Sequence, residues 1–342
     1  MTDHDTTASP RSGQYGAHGL ETSGYQAPRW LRNGHAQTLW PALLRLAPRV
    51  ALRETTLELS DGDFLQLAWG PRRSGAVVLV LHGLGGSARS AYVLGLVRHL
   101  AGRGLQTVVM EFRGVGRNPN RLRRFFHAGA WQDLDETVKH VRRQQPGRPL
   151  AVVGFSMGGI VTLNWLGARG EDAEATVAVA VSTPLDLAAC ARHLDCGFAR
   201  LYQWELVRNL KRMVRRKQRT LPDAATRSEL ERIRTLWEFD DRLTGPLHGF
   251  RDAADYYHRC SPGQRLGGVR RPTLLLQAAD DPFIPVATLP ATLPAPVHMR
   301  LSRHGGHVGF INGVPWRPGY WLEGEIADYL ECRLAGQHTS VS

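Results

Sequence analysis

Between Ala76 and Leu301 the chain alternates short unbroken apolar runs with longer segments of helical period. The apolar runs are Ala76–Leu81, Thr107–Phe112, Leu150–Gly154, Thr176–Ser182, Thr273–Ala278 and Val297–Leu301. Strands buried on both faces read this way in parallel sheets. The segments near Ser90–Gly102, Ala130–Gln144 and Met157–Ala168 are long enough to be right-handed crossover helices between them. This pattern predicts an α/β class: a mostly parallel, doubly wound sheet. Upstream, Ala51–Leu59 and Phe64–Trp69 flank Ser60-Asp61-Gly62-Asp63, whose Asp and Gly residues supply turn chemistry. An N-terminal antiparallel hairpin is expected there.

About 90 residues separate the strand ending near Ser182 from the one starting near Thr273, too many for one crossover. A helical cap insertion over 186–268 is expected, dividing the core into 28–185 and 269–335. Residues 1–27 lack an apolar period and are expected to be a disordered tail, as is 336–342. Trp30–Leu44 is too apolar for a free linker and is expected to dock on the body.

Composition narrows the function classes. The 342 residues are 42% apolar, which excludes wholesale disorder, and no apolar run approaches the ~20 residues that span a bilayer. The start lacks the apolar stretch of a secretory signal, so a cytoplasmic protein is expected, peripheral at most to the inner face of the membrane. The four cysteines show no C-x-x-C spacing and are expected to be reduced and mostly buried. The net charge of +12 resides in two runs without acids, Arg113–Arg124 and Arg208–Arg219, and the rest of the chain balances. Two basic patches on a near-neutral body are expected.

The strongest chemical signal is Gly154-Phe155-Ser156-Met157-Gly158, directly after one strand and opening a helix. Glycines at both ends permit an abrupt strand-to-helix turn that presents the Ser156 hydroxyl above the sheet, with helix N–H groups beneath it. Such a serine needs a base, and the base needs an orienting acid. Asp281 follows the strand Thr273–Ala278, 125 residues after Ser156, and His307 follows the strand Val297–Leu301, 26 residues later. Asp281 is preferred to its neighbour Asp280 because it starts the loop before Pro282. His307 is preferred to His304 because Gly305-Gly306 can deliver its ring over the strand ends. An oxyanion needs donors already in place; the N–H of Met157 and that of Leu84, in the loop His82-Gly83-Leu84-Gly85-Gly86, are the candidates. That loop lacks the Gly-Lys-Ser/Thr ending of a phosphate loop, and Gly114-Val115-Gly116 lacks the third glycine of a dinucleotide site. His304 and His307 have no accompanying ligand for a metal. No cofactor and no metal are expected.

With these residues in this order the chain resembles the α/β hydrolases, and more narrowly their YheT-type branch of bacterial esterases and eukaryotic membrane-associated abhydrolase proteins acting on acyl lipids. The resemblance runs from about Trp30 to Tyr329. It rests on Asn33-Gly34-His35-Ala36-Gln37-Thr38, Phe112-Arg113-Gly114, and His127-Ala128-Gly129 before a helix carrying Asp133. It rests also on Pro246-Leu247-His248-Gly249-Phe250, Asp255-Tyr256-Tyr257, Asp280-Asp281-Pro282-Phe283 and His304-Gly305-Gly306-His307-Val308-Gly309-Phe310. It implies an α/β-hydrolase fold and a serine carboxylesterase with Ser156, Asp281 and His307 as triad. Glu111 departs from the small polar residue expected before Phe112 and is expected to alter the pocket floor.

Arg208, Lys211, Arg212, Arg215, Arg216 and Arg219 fall on one helical stripe opposite Leu206, Val207, Leu210, Met213 and Val214. The stripe is either a solvated face or a surface for anionic membrane lipid. Nucleic acid is disfavoured by the absence of aromatic interleaving and recognition-helix pattern. Trp204, Trp237 and Tyr256 are candidates for shaping an apolar acyl pocket. An ester or lipid substrate is expected; an acyltransferase with the same triad, or a non-catalytic scaffold, are the alternatives.

Overall fold

The computed structural model describes residues 20–116, 118–217 and 227–335. In chain order the elements are β1 (Leu20–Thr22), α1 (Gly34–Leu44), β2 (Arg53–Glu58), β3 (Phe64–Trp69), β4 (Val77–Leu81), α2 (Ala91–Gly102), β5 (Gln106–Glu111), α3 (Trp131–Gln144), β6 (Leu150–Phe155), α4 (Met157–Arg169) and β7 (Val177–Val181). Then come α5 (Leu187–Leu194), α6 (Ala199–Arg216), α7 (Arg227–Arg232), α8 (Leu236–Phe239), a π-helical turn (Asp240–Thr244), α9 (Gly245–His248) and α10 (Ala253–Cys260). The chain closes with β8 (Thr273–Ala278), β9 (Val297–Ser302), β10 (Ile311–Val314), β11 (Arg317–Tyr320) and α11 (Trp321–Ala335).

Nine strands form one sheet in the order β1-β9-β8-β7-β6-β4-β5-β3-β2. All neighbours from β1 through β5 pair in parallel, and β3 and β2 add antiparallel. The six strands of the apolar runs therefore form, five of them buried almost throughout and β9 half-buried. Alternation along each strand feeds two cores: Leu79 and Leu81 join Leu134, Val138 and Trp165 of α3 and α4, whereas Val78 and Val80 join Val97, Leu100 and Ile326 of α2 and α11. The chain steps from β4 outward to β5 and then back across to β6, so the sheet's switch point lies at the carboxyl end of β4, where open α/β sheets bind ligands.

Several expectations need correction. The tail prediction fails from Leu20 onward, because β1 pairs in parallel with β9 and Tyr25 is buried with its hydroxyl donating to Ile311 O; residues 1–19 lie outside the described residues. The predicted hairpin is narrower on its first strand, Arg53–Glu58. The small β10–β11 hairpin has no apolar signature and escapes the pattern. The described residues of 187–260 run through the helices α5 to α10, and the following helical turn, Pro262–Gly268, packs on α4, where a Cβ on Gly268 would meet Gly167 O at 2.4 Å.

The two basic runs are not simple surface patches. Arg113 is buried, gripping Asp133 through two hydrogen bonds of 2.7 and 2.8 Å and reaching Asp63 at 3.0 Å. Arg121 pairs with Glu58 and Arg124 with Asp61. Lys217, at the end of α6, is 1% exposed and donates to the carbonyls of Leu122 and Arg124. Buried charges persist only where such partners compensate desolvation. Arg117 and Arg219 lie outside the described residues. Of the four free cysteines only Cys190 and Cys260 are buried; Cys196, in the turn between α5 and α6, and Cys332, on α11, are exposed.

Candidate active site

Ser156 occupies the turn between β6 and α4 with φ 50° and ψ −113°. A non-glycine residue in this region is strained by roughly 1–3 kcal/mol and needs its surroundings to hold it. Ser156 N–H donates to Val181 O at 2.8 Å, and Ser156 O accepts Ile160 N–H at 3.0 Å. The flanking glycines are steric requirements: a Cβ on Gly154 would lie 2.4 Å from Gly158 O, and one on Gly158 would lie 2.4 Å from Leu81 O.

Three side chains then align. His307 Nε2 is 3.0 Å from Ser156 Oγ, and His307 Nδ1 is 2.9 and 3.1 Å from the two carboxylate oxygens of Asp281. The Asp281 side chain is fully buried and also accepts Phe283 N–H at 2.8 Å, while the Phe283 ring stacks on the imidazole at 4.1 Å. A buried acid on Nδ1 fixes the tautomer that leaves Nε2 free to take a proton from the serine. The neighbouring acid makes a separate pair: Asp280 meets His304 Nδ1 at 3.2 Å and accepts Gly306 N–H at 3.0 Å. Asp280 and His304 thus brace the loop whose next turn carries His307.

The β4–β6 register sets Leu81 beside Gly154, so the two chains leave the sheet together. A Cβ on Gly83 would lie 3.3 Å from Ser156 Cβ. Gly83 N–H is already used, donating to Tyr92 OH at 2.8 Å. Among the described residues neither Leu84 N–H nor Met157 N–H has a protein acceptor. Beneath this loop His82, 1% exposed, donates from Nδ1 to Gly83 O at 2.9 Å. Its Nε2 lies 3.1 Å from Glu111, off the line of a hydrogen bond, and Glu111 accepts Ala88 N–H at 2.8 Å. Glu111 therefore supports the loop from behind and does not form part of the cavity wall, contrary to expectation.

Asn33–Thr38 carries a resemblance but no role in the sequence pattern, and its contacts supply one. Asn33 caps α1 by accepting Ala36 N–H, and Thr38 Oγ1 accepts His307 N–H at 2.9 Å. Gln37, fully buried, accepts Ile311 N–H and donates to Tyr25 OH and Leu31 O. Gly34 is obligatory, since a Cβ there would fall 1.9 Å from Asp280 O. This segment locks the histidine loop in place. Only long-range packing reveals it.

A cavity of about 570 Å³ adjoins Ser156 and His307 and runs into the cap. Its walls are largely apolar, including Phe126, Ile160, Leu194, Leu206 and Leu210. Tyr256 lines it as expected, but the two tryptophans do not. Trp204 is 56% exposed on the outer face of α6, and Trp237 stands behind the wall, edge-on to Tyr257.

Residues 72–292 match the Hydrolase_4 family, described as serine aminopeptidase, S33. The chain is also 40% identical over 314 residues to an Escherichia coli protein named "Putative esterase YheT", covering 90% of this chain and 92% of that one. It belongs to the α/β-hydrolase superfamily, in its YheT branch. A mouse protein named Phospholipase ABHD3 is 27% identical over 330 residues, covering 93% of this chain and 80% of that one. The solved Pyrococcus furiosus esterase Pf2001 superposes with a TM-score of 0.55 at 16% identity, covering 84% of this chain and 97% of that one, and speaks for the fold alone. This α/β hydrolase is thus of the esterase and lipase type. Among the described residues no helix is long and apolar enough to cross a membrane.

Proposed function

We propose that this α/β hydrolase is a serine carboxylesterase that cleaves medium-chain acyl esters or acylglycerol-type lipids through an acyl-enzyme on Ser156. The observation that carries the proposal is the continuous relay from Asp281 through His307 to Ser156 Oγ, with contacts of 2.9 and 3.0 Å, at the wall of an apolar cavity. Ser156 Oγ attacks the ester carbonyl carbon as His307 Nε2 takes its proton. The N–H groups of Leu84 and Met157 receive the oxyanion. Collapse breaks the bond to the alcohol oxygen, which leaves with the proton from His307. Water then attacks the acyl-enzyme, gives a proton to His307, and the acid departs as that proton returns to Ser156 Oγ. The relay asks for no cofactor. A volume of about 570 Å³ falls within the ordinary range for small-molecule sites, which supports medium acyl chains. The test is a chain-length series of p-nitrophenyl esters. A kcat/KM maximum at about six to ten carbons, by analogy with cavity size, supports the proposal; hydrolysis restricted to acetate contradicts it.

A second reading concerns an anionic membrane surface. Leu201, Trp204, Arg208, Arg212 and Arg215 follow one another along one face of α6, with Leu201 and Trp204 about half exposed. Leu43, Leu44 and Leu46, at the end of α1, are also exposed, and both helices line the cavity. Apolar side chains beside a basic stripe suit interfacial binding. Flotation with phosphatidylglycerol vesicles tests it: the wild type should float, and Trp204→Ser with Arg212→Glu should not. Equal flotation of both proteins would overturn it.

A further inference from the structure

The cap wall of the cavity contains one acid that the triad does not use. Asp240 opens the π-helical turn Asp240–Thr244, a helix distortion that often accompanies functional sites. Its Oδ1 accepts Thr244 Oγ at 2.6 Å and its Oδ2 accepts Tyr257 OH at 2.6 Å. Among the described residues no cation is paired with it, although the chain carries twelve more basic than acidic side chains. Asp240 is enclosed by protein yet keeps partial accessibility, because the space it borders is the cavity.

A carboxylate on an apolar wall is costly unless its acceptor sites are filled. The two neutral hydroxyls fill two of roughly four lone-pair sites. Burial accordingly pushes the Asp240 carboxyl up to about 6. A leucine would complete an apolar acyl pocket without that penalty. Thr244, Tyr256 and Tyr257 line the same region, and His127 adds a further polar group whose Nδ1 already accepts Gly129 N–H. Met157 and Ile160, directly after the nucleophile, pack against the Tyr256–Tyr257 cluster. The polar end and the reacting serine therefore belong to one continuous site.

We propose that Asp240 is a specificity-determining residue that receives a hydrogen-bond donor, a hydroxyl or protonated amine, carried by the ester substrate at a distance from its reacting carbonyl. The inference rests on the esterase reading above and deepens it: the preferred substrate is bifunctional, an ester with an apolar spacer and a donor group. Asp240 is not a catalytic residue, since it acts on the substrate's remote end.

The experiment uses matched ester pairs that differ in one donor. On the acyl side these are p-nitrophenyl hexanoate against its 6-hydroxy and 6-amino forms; on the alcohol side, butyl hexanoate against its 4-hydroxybutyl and 4-aminobutyl counterparts. The wild type should prefer a donor-bearing member on at least one side by about 10- to 100-fold in kcat/KM, as expected for a hydrogen bond to a charged group. The side on which the preference appears identifies which half of the substrate reaches Asp240. Asp240→Asn should abolish that preference while changing turnover of the plain esters by less than about 3-fold. Absence of preference in every wild-type pair, or an equal loss on plain and donor-bearing esters in Asp240→Asn, would overturn the proposal. Binding of 1,6-hexanediol and 6-aminohexanol against hexanol to Ser156→Ala, followed by calorimetry, gives a readout independent of hydrolysis. Where no ester is hydrolysed at all, tighter binding of the donor-bearing alcohols that is lost on adding Asp240→Asn supports the Asp240 role; equal binding of the three alcohols, or an advantage that survives Asp240→Asn, overturns it.

Discussion

Thr38 Oγ1 accepts the backbone N–H of His307 at 2.9 Å, joining the first helix to the loop after the ninth strand across 269 residues. The same hydroxyl donates to Gly34 O at 2.8 Å, so its orientation is fixed from both sides. His307 is thereby held by its backbone as well as by Asp281. Displacing a catalytic ring by a fraction of an ångström is costly because the reacting atoms must already be aligned. Thr38→Val should lower kcat by about 10-fold with little change in KM, whereas Thr38→Ser should stay within about 2-fold. Steady-state kinetics on p-nitrophenyl hexanoate, with melting temperature as control, decides it. An unchanged kcat in Thr38→Val would show that the loop is positioned without this contact.

The two adjacent acids should separate in function. Asp281→Asn removes the group that fixes the His307 tautomer and should reduce kcat by about 10³- to 10⁴-fold. Asp280→Asn leaves Asp281 in place and disturbs only the brace to His304 and Gly306. Its kcat should fall by about 10-fold or less. Equal losses in both variants would mean that the relay does not distinguish the neighbours.

Arg113 holds the buried carboxylates of Asp133 and Asp63, so removing it strands two acids in the core. Arg113→Ala should destabilise the fold by about 3–5 kcal/mol. Urea denaturation should show a lower midpoint with little change in slope. A midpoint within error of the wild type would show that water or rearrangement replaces the guanidinium.

Lys217 is buried against two carbonyls, and its ammonium is pushed down to about 8, mainly by burial. The sign follows from proton uptake: between about 8 and the ordinary value of 10.5 the unfolded chain binds the proton that the folded chain has lost. Stability from this group therefore rises with pH across that window and is flat below it. The full shift corresponds to about 3 kcal/mol. The wild type, compared with Lys217→Met at pH 7.5 and 10, should gain stability relative to the variant at the higher pH. A constant difference would contradict the burial argument.

How much the sequence disclosed depended on the range of the contacts involved. Buried parallel strands declare themselves as unbroken apolar runs, and the strand-to-helix turn at Ser156 declares itself because glycines are the only residues that fit against Gly158 O and Leu81 O. Asp281 and His307 were legible from their places just after strands. β1 was not, since the three residues that form this edge strand carry no period of their own. Arg113 and Lys217 read as surface charge because a basic side chain is buried only when partners distant in sequence await it. Thr38 and Asp240 were silent for the same reason: one serves a loop at the far end of the chain, the other faces a cavity that exists only after the cap closes on the core.

Exposing wild type and Ser156→Ala to an active-site-directed fluorophosphonate and reading intact mass decides whether Ser156 is the nucleophile. The wild type should carry one covalent adduct, located at Ser156 by peptide mapping, and the variant none. A folded wild type that takes up no adduct, or an adduct that persists in Ser156→Ala, would contradict that role.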